Sequence, residues 1–322
     1  MTRVRHPMWR RLRHVAFAAF LVLVAVLLVR AARGIAWHDV WAVLRTLQPS
    51  TLAIGLALTA ASYLVYGGYD LAGRAYAGHA LPTRRVLAIA AVAYAFALNI
   101  GALLGGAGFR LRMYAHEGVP LGKVTRVIVF SAATNWIGYL VLAGTLLASG
   151  RVSLPPALAV HGLDDASVLR VLGGAMLALG AAYLVACRAT HGRIFHARGH
   201  HFRFPSLRLA LLQVALSVTN WSLMGAVVAT FLPQSGYTAV LGALLLACVA
   251  TALVHIPSGI GVLEAVFIAM LGHLVPAPRL IAALLAYRAC YYLVPLACAT
   301  LGFAVMELRG RRAILESPAT HG

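Results

Sequence analysis

From residue 14 to residue 306 the chain is a succession of apolar runs, most of them about 20 residues long, separated by short loops that hold most of its charge. A helix rising about 1.5 Å per residue crosses a hydrocarbon layer of about 30 Å in about 20 residues, so each run is a candidate membrane crossing. No loop between the runs is long enough for a soluble catalytic domain. Hydrophobic residues make up 61% of the 322 and charged residues 11%, with mean hydropathy +0.86, which excludes an ordinary soluble fold. The net charge of +19 does not indicate nucleic acid. Its arginines and lysines flank the apolar runs, where they set topology and meet anionic head groups. The expected organisation is a basic arm (1–13), one polytopic membrane domain (14–308) and a tail (309–322).

One run, 240–275, cannot be a single uninterrupted helix. It contains His255-Ile-Pro-Ser-Gly-Ile-Gly-Val-Leu-Glu264. Pro257 lacks an N–H and disfavours helix in the residue before it, so a helix entering from Val240 should stop near His255. Ser258, Gly259 and Gly261 supply an N-cap and backbone freedom, and 262–274 reads as a second helix. Broken backbone at membrane depth is tolerated only where protein buries it or water reaches it. The restarted helix points about half a positive charge into the bilayer, as transporters do where they hold anionic groups. Two readings of Glu264 stand: a carboxylate complementing the dipole of a kinked helix, or part of a site.

A second irregular run, 86–104, leads into Gly105-Gly-Ala-Gly-Phe-Arg110, too rich in glycine to end a helix comfortably in lipid. If it crossed fully, the basic loop around Lys123 and Arg126 would lie outside and the acidic loop with Asp164 and Asp165 inside. If it dips and returns, both obey the positive-inside rule. The expected fold is therefore an all-α integral membrane protein with six full crossings (14–29, 50–71, 124–148, 168–187, 209–232 and 280–306) and two re-entrant or broken elements. Both termini are then cytoplasmic. Residues 30–49, with Trp37 and Trp41, read as an interfacial loop. Residues 50–148 and 209–306 each read as crossing, dip, crossing, entered from opposite sides: an inverted repeat, which places a site where two broken helices meet. Asn135-Trp136 and Asn220-Trp221 recur within crossings that flank different dips.

Charges inside a bilayer face the interior and pair, because each costs about 2.5–3.5 kcal/mol on insertion scales. Asp70 and Arg74, four apart on one helical face, are expected to pair, as a helix-end ion pair or as part of a site. Glu264 and Arg288 are expected partners across an external turn, as a structural lock or as a site. Arg110, Arg288 and a positive half-helix end would together favour an anion such as a lipid phosphate. Glu264 and Asp70 would suit a cationic group or a proton. His255 reads as a hydrogen-bonded core histidine or a proton relay. His191, His196, His200 and His201 sit in a basic loop without zinc spacing, and the four cysteines read as small core residues, so no metal or cofactor is expected.

Tyr69-Asp-Leu71, Gly106-Ala-Gly-Phe-Arg110, Pro257-Ser-Gly-Ile-Gly-Val-Leu-Glu264 and Tyr287-Arg-Ala-Cys-Tyr-Tyr292 resemble the transmembrane region of bacterial lysylphosphatidylglycerol synthase/flippase proteins, over roughly residues 41–306. That resemblance implies a bacterial inner-membrane protein whose partners are phospholipids with anionic or aminoacylated head groups. It also implies functional roles for Asp70, Arg110, Glu264 and Arg288, which join His255, Pro257, Gly259 and Gly261 of the broken stretch as the candidate substrate-binding residues. Full-length members carry a soluble aminoacyl-transferase domain after this region; the chain here ends at Gly322, so lipid synthesis is not expected of it. The function expected is lipid translocation between two broken helices. The rivals are a membrane-embedded lipid transferase with Glu264 or His255 as base, and a scaffold for a partner enzyme; self-association also fits.

Overall fold

The computed structural model describes residues 37–152, 166–190, 193–197, 200–254 and 259–302. The expected first crossing, Asp164, Asp165, His255, Pro257 and Ser258 lie outside the described residues. Seven helices within them are long and apolar enough to cross a membrane. The expected all-α membrane fold holds, and the departures from it are local.

The centre is an antiparallel pair of long helices. α2 (Pro49–Ala77) follows α1 (Trp37–Arg45) and carries proline in its first turn, where the missing N–H has no partner to lose. It stops at Gly78, a left-handed glycine (φ 70°) whose N–H bonds the Arg74 carbonyl. α7 (Leu207–Phe231) runs against it in the opposite direction. Gly55 meets Phe231 near one end, the Ser62 hydroxyl donates to Asn220 Oδ1 at 2.8 Å midway, and the Tyr76 hydroxyl donates to the Arg203 carbonyl at the other end. α5 (Leu121–Ala148) closes a three-helix core. A side chain at Gly138 would put Cβ 2.1 Å from Ser217, so glycine is what lets α5 and α7 touch. The Asn135 carbonyl accepts from the Ser217 hydroxyl at 3.0 Å and the Trp221 indole N–H at 3.3 Å, so the two recurring Asn-Trp pairs lie against one another. α6 (Ala166–Ala189) packs outside α5 through Gly144 and Gly173.

The run at 86–104 is the first limb of a helical hairpin. α3 (Thr83–Ile100) ends at Gly101, whose φ of 107° and ψ of 158° only glycine adopts readily. The chain folds back through a π-helical stretch, Ala102–Gly108, into α4 (Phe109–His116). Three contacts show the return. A Cβ on Gly105 would fall 2.1 Å from the Phe96 carbonyl oxygen, the Phe96 and Phe109 rings stack at 3.9 Å, and Arg85 pairs with Glu117 at 3.0 Å. Residues that open and close the element therefore lie at one end of the molecule, as the re-entrant reading requires.

The second hairpin is built alike. α8 (Tyr237–Val254) is described as far as Val254, and α9 (Val262–Leu271) returns along it. Gly259 (φ 58°), between the limbs, packs against Thr251. α9 starts at Val262 as expected, with Gly261 at its N-cap, and ends at Leu271 rather than residue 274. α10 (Ala277–Arg288) continues through a π-helical stretch, Ala289–Leu293, to Gly302. Because α2 and α7 are antiparallel, the two hairpins enter from opposite ends.

Two expected loops contain structure. Residues 37–45 form helix α1, whose Val43 and Leu44 pack on Ile281 and Ala282 of α10. In the basic loop, β1 (Ile194–Ala197) and β2 (His200–Arg203) pair antiparallel, with His196 opposite His201. Neither is visible as an apolar run, which is why the hydropathy reading passed over both.

Two outcomes follow. Gly138→Ala should separate α5 from α7 and destabilise the protein in detergent by about 1–3 kcal/mol, the usual range for overpacking; Gly174→Ala, where a Cβ meets nothing within 4 Å, should leave the melting temperature unchanged. In a background freed of native cysteines, single cysteines at Arg85 and Gly118 should react with an impermeant thiol reagent from the same side of sealed vesicles. Labelling from opposite sides would mean that 83–116 crosses.

Candidate functional site

Each hairpin brings one charged residue from its returning limb against a partner on a crossing helix. Arg110, in the first turn of α4, reaches Asp70 of α2 with two parallel bonds: Nε to Oδ2 at 3.0 Å and Nη2 to Oδ1 at 3.0 Å. Ser131 Oγ donates to Asp70 Oδ1 at 2.8 Å and the Tyr114 hydroxyl to Oδ2 at 3.3 Å. The arginine also reaches the Gly106 carbonyl at 3.4 Å and sits 5.6 Å from the centre of the Tyr66 ring. The pair is sealed, its side chains 5% and 0% exposed.

This corrects the expected Asp70–Arg74 pair. Arg74 turns the other way, to the Leu81 carbonyl and Thr83 Oγ1, closing the loop after α2. Asp70 is not at a solvated helix end; it lies seven residues inside α2, fully buried. A lone carboxylate there is untenable, and only the fold-back of α4 supplies a guanidinium.

The second pair is the expected one. Arg288, at the end of α10, donates Nε to Glu264 Oε1 at 2.8 Å and Nη2 to Oε2 at 3.3 Å, and also bonds the Gly259 carbonyl at 3.2 Å. Glu264 Oε2 accepts the Gly261 N–H at 2.8 Å, so the carboxylate caps its own helix. Gly259 and Gly261, both at positive φ, shape the turn that makes these backbone groups available. This pair is more open than the first, its side chains 12% and 18% exposed.

Arg110 and Arg288, two of the positive groups expected to favour an anion, therefore each already hold a carboxylate, and the Gly261 N–H at the N-cap of α9 is taken by Glu264. Arg288 and Arg110 are each followed or preceded within a few residues by π-helical backbone, a local widening frequent at functional sites. His255 and Pro257 lie outside the described residues.

Between the two pairs runs a tyrosine-rich seam that the sequence reading largely missed. Tyr66, at the Arg110 guanidinium, stacks on Tyr94 of α3 at 3.6 Å. The Tyr94 and Tyr291 hydroxyls share a hydrogen bond at 2.9 Å, and Tyr291 shares another with Ser62 at 2.7 Å. Tyr291 stacks on Tyr287, and Tyr292 lies beneath Arg288. The hydroxyls of Tyr69 and Tyr287 are buried with no hydrogen-bond partner among the described residues. The available signal was Tyr63, Tyr66 and Tyr69 at three-residue spacing on one apolar helix, beside the noted pair Tyr291-Tyr292. At the basic end, burial together with Arg74 and Lys123 holds the His79 imidazole below its ordinary pKa, leaving it uncharged near neutrality.

Comparison with known proteins agrees with this architecture. The family model described as the lysylphosphatidylglycerol synthase transmembrane region matches residues 15–299. Inner membrane protein YbhN of Escherichia coli K12 is 40% identical over 309 residues, covering 95% of this chain and 96% of its own length. Protein slr0712 of Synechocystis PCC 6803 is 28% identical over 319 residues, covering 94% and 95%. With the match spanning both hairpins and both ion pairs, the chain belongs to the lysylphosphatidylglycerol synthase transmembrane-region family.

Proposed function

We propose that this protein moves phospholipids of the phosphatidylglycerol or aminoacylated type between leaflets of the bacterial inner membrane, its head-group site lying at the hairpin tips. The observation that carries this reading is the pair of broken hairpins, entering from opposite ends, each ending in an arginine–carboxylate pair, one buried and one part-buried. An internal ion pair is a charge-matched template. A head group bearing both an amine and a phosphate can replace one internal pair by two external ones, Glu264 with the amine and Arg288 with the phosphate. No charge is left unpaired in the exchange, so the main penalty of burying ions is avoided. The unequal exposure of the two pairs supports the same reading: one end is open enough to exchange partners while the other is sealed, as alternating access requires. The acyl chains would remain in lipid. By the positive-inside rule the end carrying Arg84, Arg85, Lys123, Arg126, Arg188, Arg203 and Arg208 faces the cytoplasm, which makes the Asp70–Arg110 hairpin enter from inside.

In liposomes, the wild-type protein should equilibrate labelled phosphatidylglycerol or its aminoacylated form, and Glu264→Gln and Arg288→Gln should each slow this by at least tenfold. Unchanged rates would remove the transport reading, and a new lipid product would point to a transferase. Stability separates the two pairs. Asp70→Asn strands a buried guanidinium and should cost about 3–5 kcal/mol, visible as a large fall in melting temperature, with much of it restored in Asp70→Asn/Arg110→Gln. Glu264→Gln, at the more open pair, should cost clearly less.

A further inference from the structure

We infer that the cleft between the C-terminal end of α2 and the start of α7 is a second lipid site, binding the head group of an anionic phospholipid at the basic face, apart from the ion-paired tips. The cleft encloses about 520 Å³ and is lined by Tyr76, Arg203, Ser206, Arg208, Leu209 and Leu212 among others. Its two guanidiniums are exposed and have no carboxylate partner among the described residues, unlike Arg110 and Arg288. They are thus two arginines beside one cavity that still have their charge to offer. Tyr76 is held in place by donating its hydroxyl to the Arg203 carbonyl and by stacking on Phe130 at 5.0 Å. That fixes the wall of the cleft, and fixes the arginine's backbone, before any ligand arrives.

The other wall decides between a free anion and a lipid. Leu209 and Leu212 follow Arg208 along α7, and Leu212 both lines the cleft and is 44% exposed on the outer face, beside Leu211 at 50%. A phosphate seated at Arg203 and Arg208 would therefore have an apolar lane leading from it, in the direction acyl chains run. A soluble phosphate has no use for that lane. Planar guanidiniums match phosphate oxygens in pairs, and each basic group near a membrane surface adds about tenfold or less to the binding of anionic lipid. Tyr76 is six residues beyond Asp70, about 9 Å along α2, so a lipid held here is adjacent to the sealed pair without touching it.

The test uses the purified full-length protein in detergent, titrated with short-chain phosphatidylglycerol, the matching phosphatidylcholine, and inorganic phosphate. Saturable binding of phosphatidylglycerol is expected, at least tenfold tighter than that of phosphatidylcholine. It should weaken about tenfold in Arg203→Gln/Arg208→Gln, recover in part in Arg203→Lys/Arg208→Lys, and persist in Glu264→Gln. Equal affinity for the two lipids, or an unchanged affinity in the double glutamine variant, overturns the site. Phosphate binding as tightly as the lipid makes it a free-anion site and overturns the lipid assignment. Loss of binding in Glu264→Gln would place the lipid at the hairpin tips instead. The site does not depend on transport, so a protein that fails to move lipid but passes this titration keeps it.

Discussion

A charge carried into hydrocarbon must bring its counter-charge with it, and in this protein that requirement governs how the chain is laid out. Asp70 and Arg110 are 40 positions apart, and Glu264 and Arg288 are 24 apart. The first pair forms only because the chain doubles back inside the membrane between its members; the second forms across the turn between α9 and α10, once the chain has doubled back ahead of Glu264. Gly101 and Gly105 make the first reversal possible, and Gly259 and Gly261 the second, because a Cβ at these places would meet backbone, demand a positive φ, or both. The hairpins are thus geometric consequences of satisfying buried charge as much as of helix packing.

The inverted arrangement gives the two pairs different surroundings. The Asp70 carboxylate accepts from an arginine, a serine and a tyrosine, a saturated set in which replacing a partner would leave donors idle. The Glu264 carboxylate is shared between an arginine and the amide that opens its own helix. A helix end is the weaker restraint, since it can be re-satisfied by water or by a ligand. The tyrosine seam connects the two: the hydroxyls of Ser62 on α2, Tyr94 on α3 and Tyr291 after α10 meet one another, and the Asn220 amide oxygen of α7 accepts from Ser62. A polar seam between two charged tips gives the interior a directional structure that an aliphatic core would lack.

How far the site could be read in advance follows from the range of each interaction. Glu264–Arg288 was legible because only a short turn separates the two helices, which forces neighbouring charges together. Asp70–Arg74 was a sound reading of local spacing that tertiary structure overrode. Arg74 finds carbonyl and hydroxyl acceptors at the helix end, and Asp70, buried, takes the arginine that a returning limb delivers. The tyrosine seam was nearly invisible because its members come from separate helices, and tyrosine in an apolar run looks like core. The cleft between Tyr76 and Arg208 is likewise a product of two helix ends meeting, not of any motif.

By itself the sequence determined that this chain lives in a membrane, roughly where the crossings within the described residues begin and end, and that two runs must break. Hydropathy, glycine and proline act through nearest neighbours, and the positive-inside rule needs only loop charges. Tertiary structure alone decided that Asp70 takes Arg110 rather than Arg74, and that polar side chains from four segments, three hydroxyls and the Asn220 amide, converge between the two tips. Those depend on contacts between residues tens to hundreds of positions apart, such as Ser62 with Tyr291, and on the absence of a single side chain at the points where helices close on one another.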